Sequence, residues 1–361
     1  MAYKILDLFS GAGGFSKGFD DVDGFHTVVA TDFNMDALNT FKHNFQDTDV
    51  IYGDITDNEV KETIINCAKQ RNVNMIIGGP PCQGFSNKGK KLGLDDPRNF
   101  LFLEYLDIVK RLNPHIFIIE NVKAMLTAAD GYFIEKIKEK ISELGYYIDY
   151  GVLTSSDFGV PQKRERAIIV ACKNNKIYLP LPTTTTAVTV KDAISDLAYL
   201  NSGEGEFKSI YRYSPQSDYQ RKMRKNNSEI LFNHVSTNHS KAALEKLKMI
   251  PSEKGKECLP KELWGNQKFK TTWGRLEWSS LSPTIDTRFD TPSNGTNSHP
   301  VLHRAITPRE AARIQSFPDD FVFLGKKTQI TKQIGNAVPP LMASAIAQSI
   351  LEQEKNNELR K

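Results

Sequence analysis

The sequence predicts an α/β protein built on a doubly wound, mostly parallel sheet, with a second, smaller and irregular domain late in the chain. In the first half, short apolar runs of strand-forming residues alternate with helical stretches of about ten to fifteen residues, as βαβ units require. The first run leads into a glycine-rich turn and then a helix. From residue 173 the alternation stops, and a polar stretch rich in Ser, Asn and Lys carries all three tryptophans, Trp264, Trp273 and Trp278.

Residues 4–9 read as a buried strand, and Ser10-Gly11-Ala12-Gly13-Gly14 as a turn with a helix from Phe15. Glycines there let the backbone come close to a ligand. Residues 26–31 form a second strand ending at Asp32, followed by a helix over 37–45. Residues 50–52 form a third, closed by Asp54-Ile55, and a helix covers 59–69. Residues 75–77 are the strand before Gly79-Pro80-Pro81-Cys82, and a helix over 100–111 precedes a strand over 115–119 that ends on Glu120. Another strand covers 167–171, after which Pro180, Pro182 and the threonine run 183–186 read as a linker. Thr307-Pro308-Arg309-Glu310 is a capping box with proline at the first helical position. Pro339 and Pro340 open a last helix, apolar enough to pack on the first domain. The expected division is 1–172, a smaller domain over 173–300, and a return to the first over 301–361.

At 361 residues, 39% hydrophobic and 25% charged, the chain is an ordinary globular protein, neither disordered nor fibrous. No apolar run approaches the roughly 20 residues of a membrane span, and Met1-Ala2-Tyr3-Lys4 enters a strand with no signal peptide before it. No membrane partner is expected. The four cysteines, Cys67, Cys82, Cys172 and Cys258, lie far apart without a CxxC or a Cys/His cluster. No metal site or disulfide framework is therefore expected, and a reducing cytoplasm is. Net charge is +4, and residues 171–300 carry 19 Lys and Arg against 13 Asp and Glu. That segment is either a solvated basic face or a module facing phosphates.

Three successive strand ends carry a glycine loop, Asp32 and Asp54, where a carboxylate can hold ribose hydroxyls. The dinucleotide fingerprint GxGxxG fails at Ser16, which disfavours a nicotinamide oxidoreductase and suits an adenosine cofactor without pyrophosphate. Cys82 follows a stiff Pro-Pro step that can aim a thiol, although a tight turn with an incidental cysteine reads the same way. Cys82 and Glu120 fall at the next two strand ends, where α/β sheets bind ligands. Glu120 fits either a reaction centre or the N-terminus of a following helix. Arg164 and Arg166, two apart, are expected on one strand face, suited to a phosphate, a carboxylate or a base edge. Residues 83–99, with glycines and Lys88, Lys90 and Lys91, read as a lid closing on phosphates or as a solvated loop.

At this point the chain resembles the DNA (cytosine-5)-methyltransferases over nearly its whole length and in the family's motif order. Asp7 to Phe19 resembles the cofactor loop, Gly79-Pro80-Pro81-Cys82-Gln83-Gly84-Phe85-Ser86 the catalytic loop, and Glu120-Asn121-Val122 the ENV motif. Gln162-x-Arg164-x-Arg166 resembles the QxRxR motif, and residues 304–317 and Gly335-Asn336-Ala337-Val338-Pro339-Pro340 the last two blocks. The resemblance implies a methyltransferase fold of the Rossmann-like, S-adenosylmethionine-dependent kind. It implies Cys82 as nucleophile at cytosine C6, Glu120 as partner of N3 and the N4 amino group, Arg166 at O2, and Arg164 holding the backbone around the thiol. It assigns Phe9, Gly11, Gly13, Gly14, Asp32, Phe33, Asp54, Ile55, Pro80, Leu101, Asn336 and Val338 to the cofactor. It assigns Gln83, Ser86, Lys88, Lys90, Lys91, Arg98, Gln162, Arg275 and Thr284 to DNA, with base readers within 173–300. The implied partner is double-stranded DNA with a flipped cytosine, bound by a monomeric bacterial enzyme of the cytoplasm, with a cognate restriction endonuclease for the same site. A tRNA-directed member is the alternative, disfavoured by the absence of a Cys-Phe-Thr element. A catalytically silent DNA-binding relative is disfavoured by the intact Cys82, Glu120, Arg164 and Arg166.

Overall fold

The computed structural model describes residues 2–81, 100–224, 229–265 and 271–358. The chain divides into two compact units, one of residues 1–158, 165–183 and 340–361, the other of 159–164 and 184–339.

The first unit carries β1 (Tyr3–Leu8), α1 (Gly14–Asp20), β2 (Phe25–Asp32), α2 (Met35–Asn44), β3 (Asp49–Tyr52), α3 (Asn58–Gln70) and β4 (Met75–Gly78). It continues with α4 (Phe100–Leu112), β5 (Ile116–Val122), α5 (Ala124–Thr127), α6 (Tyr132–Glu143), β6 (Tyr147–Thr154) and β7 (Glu165–Cys172). The strands form one sheet in the order β3-β2-β1-β4-β5-β7-β6, parallel from β3 to β5 and antiparallel at β5–β7 and β7–β6. The expected mostly parallel, doubly wound sheet is present. Ile5, Leu6, Leu8, Ile76, Ile77 and Phe117 are fully buried, as strands covered by helices on both faces must be. Lys61 of α3 pairs with Glu104 of α4, with Asp107 3.4 Å away, an ion pair that joins two covering helices.

The second unit carries α7 (Val190–Ile194), β8 (Gly205–Ile210), α8 (Asp218–Met223), β9 (Ile230–Val235), α9 (Lys241–Met249), α10 (Pro308–Ile314) and α11 (Lys327–Asn336). The last helix, α12 (Pro340–Glu358), belongs to the first unit. Beyond the antiparallel pair β8–β9 this unit is irregular, and a small core of Leu247, Ile250, Leu259 and Trp273, with Trp264 against it, explains two of the tryptophans. The predicted capping box is formed: Thr307 accepts from Glu310 N and Glu310 accepts from Thr307 N.

The return to the first unit comes at Pro340 rather than at 301. The reason is that α10 is wholly buried in the second unit by its charged side chains. Arg304 forms a two-pronged pair with Glu310 at 2.7 Å on each prong. Arg313 reaches Asp196 at 2.6 Å and Asp319 at 2.7 Å. All four partners of these pairs other than Asp319 are fully buried, and Asp319 nearly so. Within the first unit, α12 lies on α1 so closely that a Cβ at Gly18 would stand 2.3 Å from Pro340 O. The apolar stretch Lys327–Asn357 matches a membrane span in length and composition, a match the sequence reading did not anticipate, and 61% of its most apolar 18-residue window is buried. It consists of α11 and α12, separated at Ala337 to Pro339.

Candidate active site

With β1 between β2 and β4, the chain crosses from one side of β1 to the other. That reversal opens a crevice at the carboxyl ends of these strands. Leu8 is in register with Gly78, so the turn after β1 and the Pro-Pro step after β4 leave the sheet side by side. Gly78 is needed for this, because a Cβ there would stand 2.4 Å from Leu8 O.

The turn after β1 is strained where a ligand loop often is. Phe9 has φ 59°, Gly11 φ 54° and Gly13 φ 94°. A Cβ at Gly13 would meet the Phe41 and Phe45 rings within 3 Å, whereas nothing lies within 4 Å of one at Gly11. Gly11 faces open space. Its N–H donates to Asp32 Oδ2 at 2.8 Å, and Asn34 N–H donates to Asp32 Oδ1 at 2.8 Å. Burial raises the Asp32 carboxyl above its ordinary range, and these backbone donors oppose the rise. The adjacent Phe33 ring is 67% exposed, an apolar plate beside the carboxylate. Asp54 lies two residues past β3, exposed, accepting from Thr56 N, while Ile55 is buried in the core. Phe9 and Leu101 are half-buried and pack against the same core, and Gly14 begins α1.

Ser16, where the fingerprint failed, has a task of its own. Its hydroxyl donates to Asp7 Oδ2 at 2.6 Å, both groups being buried. Burial drives the Asp7 carboxyl up to about 8; the Ser16 bond lowers it, and the nearby Asp32 and Asp20 charges raise it.

Glu120 lies inside β5 rather than at its end, and no helix begins at it, which removes the helix-capping reading. It faces Ile168 across the antiparallel pair while Arg166 faces Val122. The two are therefore diagonal neighbours on one face of the ladder, within reach of long side chains. Arg166 Nε stands 2.8 Å from Glu120 Oε1, with both side chains at most 15% exposed. A Cβ at Gly79 would come within 3.0 Å of Glu120 Oε2, so glycine there leaves the carboxylate room. Asn121 Nδ2 donates to Pro80 O at 2.8 Å and its Oδ1 accepts from Val122 N at 2.8 Å. Asn121 thus ties the Pro-Pro step to β5. It was not among the expected site residues; its place beside Glu120 was the available signal.

Cys82, Gln83, Ser86, Lys88, Lys90, Lys91 and Arg98 lie outside the described residues. In the second unit several expectations need correction. Arg164 precedes β7 instead of sharing a strand face with Arg166, and its buried guanidinium donates to Ile285 O at 3.3 Å and Gly335 O at 3.0 Å. Gln162 is fully buried, donating to Gln315 Oε1 and accepting from Ile285 N, so its amide is spent inside the protein. Arg275 is 3% exposed and donates to the carbonyls of Leu247, Ile250, His299 and Leu302 and to His303 Nδ1. A guanidinium has five N–H donors, and with these bonds made none is left for a base edge. Thr284 is exposed, its hydroxyl donating to Lys163 O. Asn336 is exposed at the end of α11, and Val338 is buried.

A family model described as C-5 cytosine-specific DNA methylase matches residues 3–352. Type II methyltransferase M1.HphI of Haemophilus parahaemolyticus is 36% identical over 359 residues, covering 99% of this chain and 88% of that protein. Type II methyltransferase M.DdeI of Desulfomicrobium norvegicum is 34% identical over 377 residues, with 96% and 88% covered. Among solved structures, a putative DNA modification methyltransferase encoded within a prophage (E. coli) superposes with a TM-score of 0.79 at 27% identity. That comparison covers 98% of this chain and 100% of the other.

Proposed function

The chain belongs to the C-5 cytosine-specific DNA methylase family and is a DNA (cytosine-5)-methyltransferase; we propose that it modifies one cytosine in a specific duplex sequence as the protective half of a restriction-modification pair, with S-adenosylmethionine as donor. The observation that carries this reading is the crevice in which Arg166 aligns Glu120 while Asn121 holds the residue two before Cys82.

The residues at the crevice fit the donor. Gly11 leaves open space, Asp32 keeps lone pairs beyond its backbone donors for ribose hydroxyls, and the exposed Phe33 ring offers a face to adenine. Asp54, Ile55, Phe9, Gly13, Gly14, Pro80 and Leu101 complete the set proposed for this unit. When bound, this donor supplies an electrophilic methyl group on a sulfonium.

Cytosine C5 is a poor nucleophile until its ring is activated. The Cys82 thiolate adds to C6 of the flipped base, which makes C5 electron-rich. Glu120 meets the charge that develops at N3 and accepts from the N4 amino group, and Arg166 faces O2. After methylation, loss of the C5 proton, to water in this scheme, breaks the S–C6 bond and frees Cys82.

Labelled methyl groups are expected in duplex DNA and not in tRNA, and sequencing methylated cytosines from cells expressing the chain identifies the target. A duplex bearing 5-fluorocytosine at the target should trap a covalent adduct, since fluorine does not leave as a proton does. Mapping that adduct to a residue other than Cys82 overturns the mechanism.

A further inference from the structure

We propose that His115, Cys172 and Glu354 form a structural zinc site at the end of the sheet opposite the catalytic crevice. No metal site was expected, because the four cysteines lie far apart without a CxxC or a Cys/His cluster; His115 and Cys172 are 57 residues apart, and His115 and Glu354 239. The fold brings them together. His115 immediately precedes β5, Cys172 ends the antiparallel β7, and Glu354 lies on α12. Their ligand atoms all lie within 4.8 Å of one another.

The spacing suits one tetrahedral ion. Zinc bonds of roughly 2.3 Å to sulfur and 2.0–2.2 Å to nitrogen and oxygen place N and O roughly 3.4 Å apart, and S and N roughly 3.6 Å apart. Here His115 Nε2 stands 3.2 Å from Glu354 Oε2 and 3.9 Å from Cys172 Sγ. Three donors fall short of a closed site, and Asn175 Oδ1, 3.6 Å from the sulfur, is available as a fourth. Glu354 Oε1 and Asn175 Nδ2 are both buried without a hydrogen-bond partner. Such orphaned atoms are costly in a protein-only arrangement, and a metal with its water satisfies the first.

Charge and rigidity agree. One thiolate and one carboxylate neutralise Zn²⁺, so a sulfur with no solvent exposure gains no net charge. Each donor is held by its element. Tyr3 stacks on the imidazole with rings 6.2 Å apart, Cys172 pairs in register with Ile116, and Gln353 exchanges two hydrogen bonds with the Tyr178 backbone. The ion would fasten α12 to the start of β5 and the end of β7, the two strands that carry Glu120 and Arg166.

The test uses the full-length chain, stripped with a chelator and titrated with Zn²⁺ alone, then with Co²⁺. One equivalent of zinc should survive gel filtration, raise the melting temperature, and give the cobalt form a thiolate charge-transfer band. His115→Gln and Glu354→Gln should each weaken binding by more than the 10–100-fold typical of an outer-sphere partner. Both side chains are partly exposed, so these variants should fold even if Cys172→Ser does not. Failure to retain zinc, or full retention by His115→Gln with an unchanged cobalt band, overturns the proposal; the latter places the metal on another cysteine.

Discussion

Asn121 and Asp7 show how much a single side chain contributes to this crevice. Replacing Asn121 with Ala removes the donor to Pro80 O and leaves Glu120 and Arg166 in place. Loosening the Pro-Pro step by as little as 1 Å can cost about 100-fold in rate. The expected outcome is a kcat lowered by about 10–100-fold with donor affinity unchanged, read by single-turnover methylation and equilibrium binding; an unaltered kcat removes the positioning role. Asp7 governs a pH dependence. Its folded value, about 8, lies above the ordinary 3.8, so the folded chain binds the extra proton between those values. Stability from this group is fully present below about pH 4 and is lost as pH rises towards 8, with a slope of up to about 1.4 kcal/mol per pH unit. Asp7→Asn keeps an acceptor for Ser16 and cannot ionise. Denaturant melts at pH 5 and pH 8 should lie closer together for Asp7→Asn than for the parent, and an equal gap contradicts the assignment. The residue-level reading of the sequence anticipated a position that depends on neighbours in the chain, Asp32 beside the glycine turn. It did not foresee that the polar atoms of Arg275 and Gln162 are claimed by carbonyls and amides far along the sequence.

Elements were legible where periodicity and strand-forming runs are strong, as in β1, β2, β4 and the capping box of α10. The antiparallel β6 and the helix α6 were not anticipated, and β7 starts at Glu165, just past the Arg164 that was expected on it. β6 lies at the edge of the sheet with a mixture of buried and exposed positions, so its apolar pattern is weak. The α1–α12 packing was foreseen only as a helix against the first domain. Its dependence on one glycine follows from contact distances: a Cβ at Gly18 would stand 2.3 Å from Pro340 O and 2.4 Å from Ala343 Cβ. Gly18→Ala should destabilise the protein by about 1–3 kcal/mol, the usual cost of overpacking. An unchanged melting temperature would show that the helices separate freely.

For the molecule, the two units rest on different physics. The first unit is an apolar sheet core, whereas the second holds its residues around buried ion pairs on α10. Arg313→Leu leaves Asp319 without its closest cationic partner and Asp196 with only Arg224. The expected loss is about 3–5 kcal/mol, measurable by chemical denaturation, and a neutral result would mean that water reaches these carboxylates. This burial also explains why residues 301–339 stay with the second unit, a boundary that no composition shift marks. What the sequence alone decided was the mostly parallel sheet, the residues at its strand ends and the methyltransferase motifs, because strand periodicity, glycine freedom and motif order are properties of neighbouring residues. Only the tertiary structure decided that Arg166 pairs with Glu120, that Asn121 holds Pro80, that Arg275 is internal, and that His115 meets Cys172 and Glu354. Each of those depends on which distant groups compete for a buried donor or acceptor, and that competition exists only once the chain is folded.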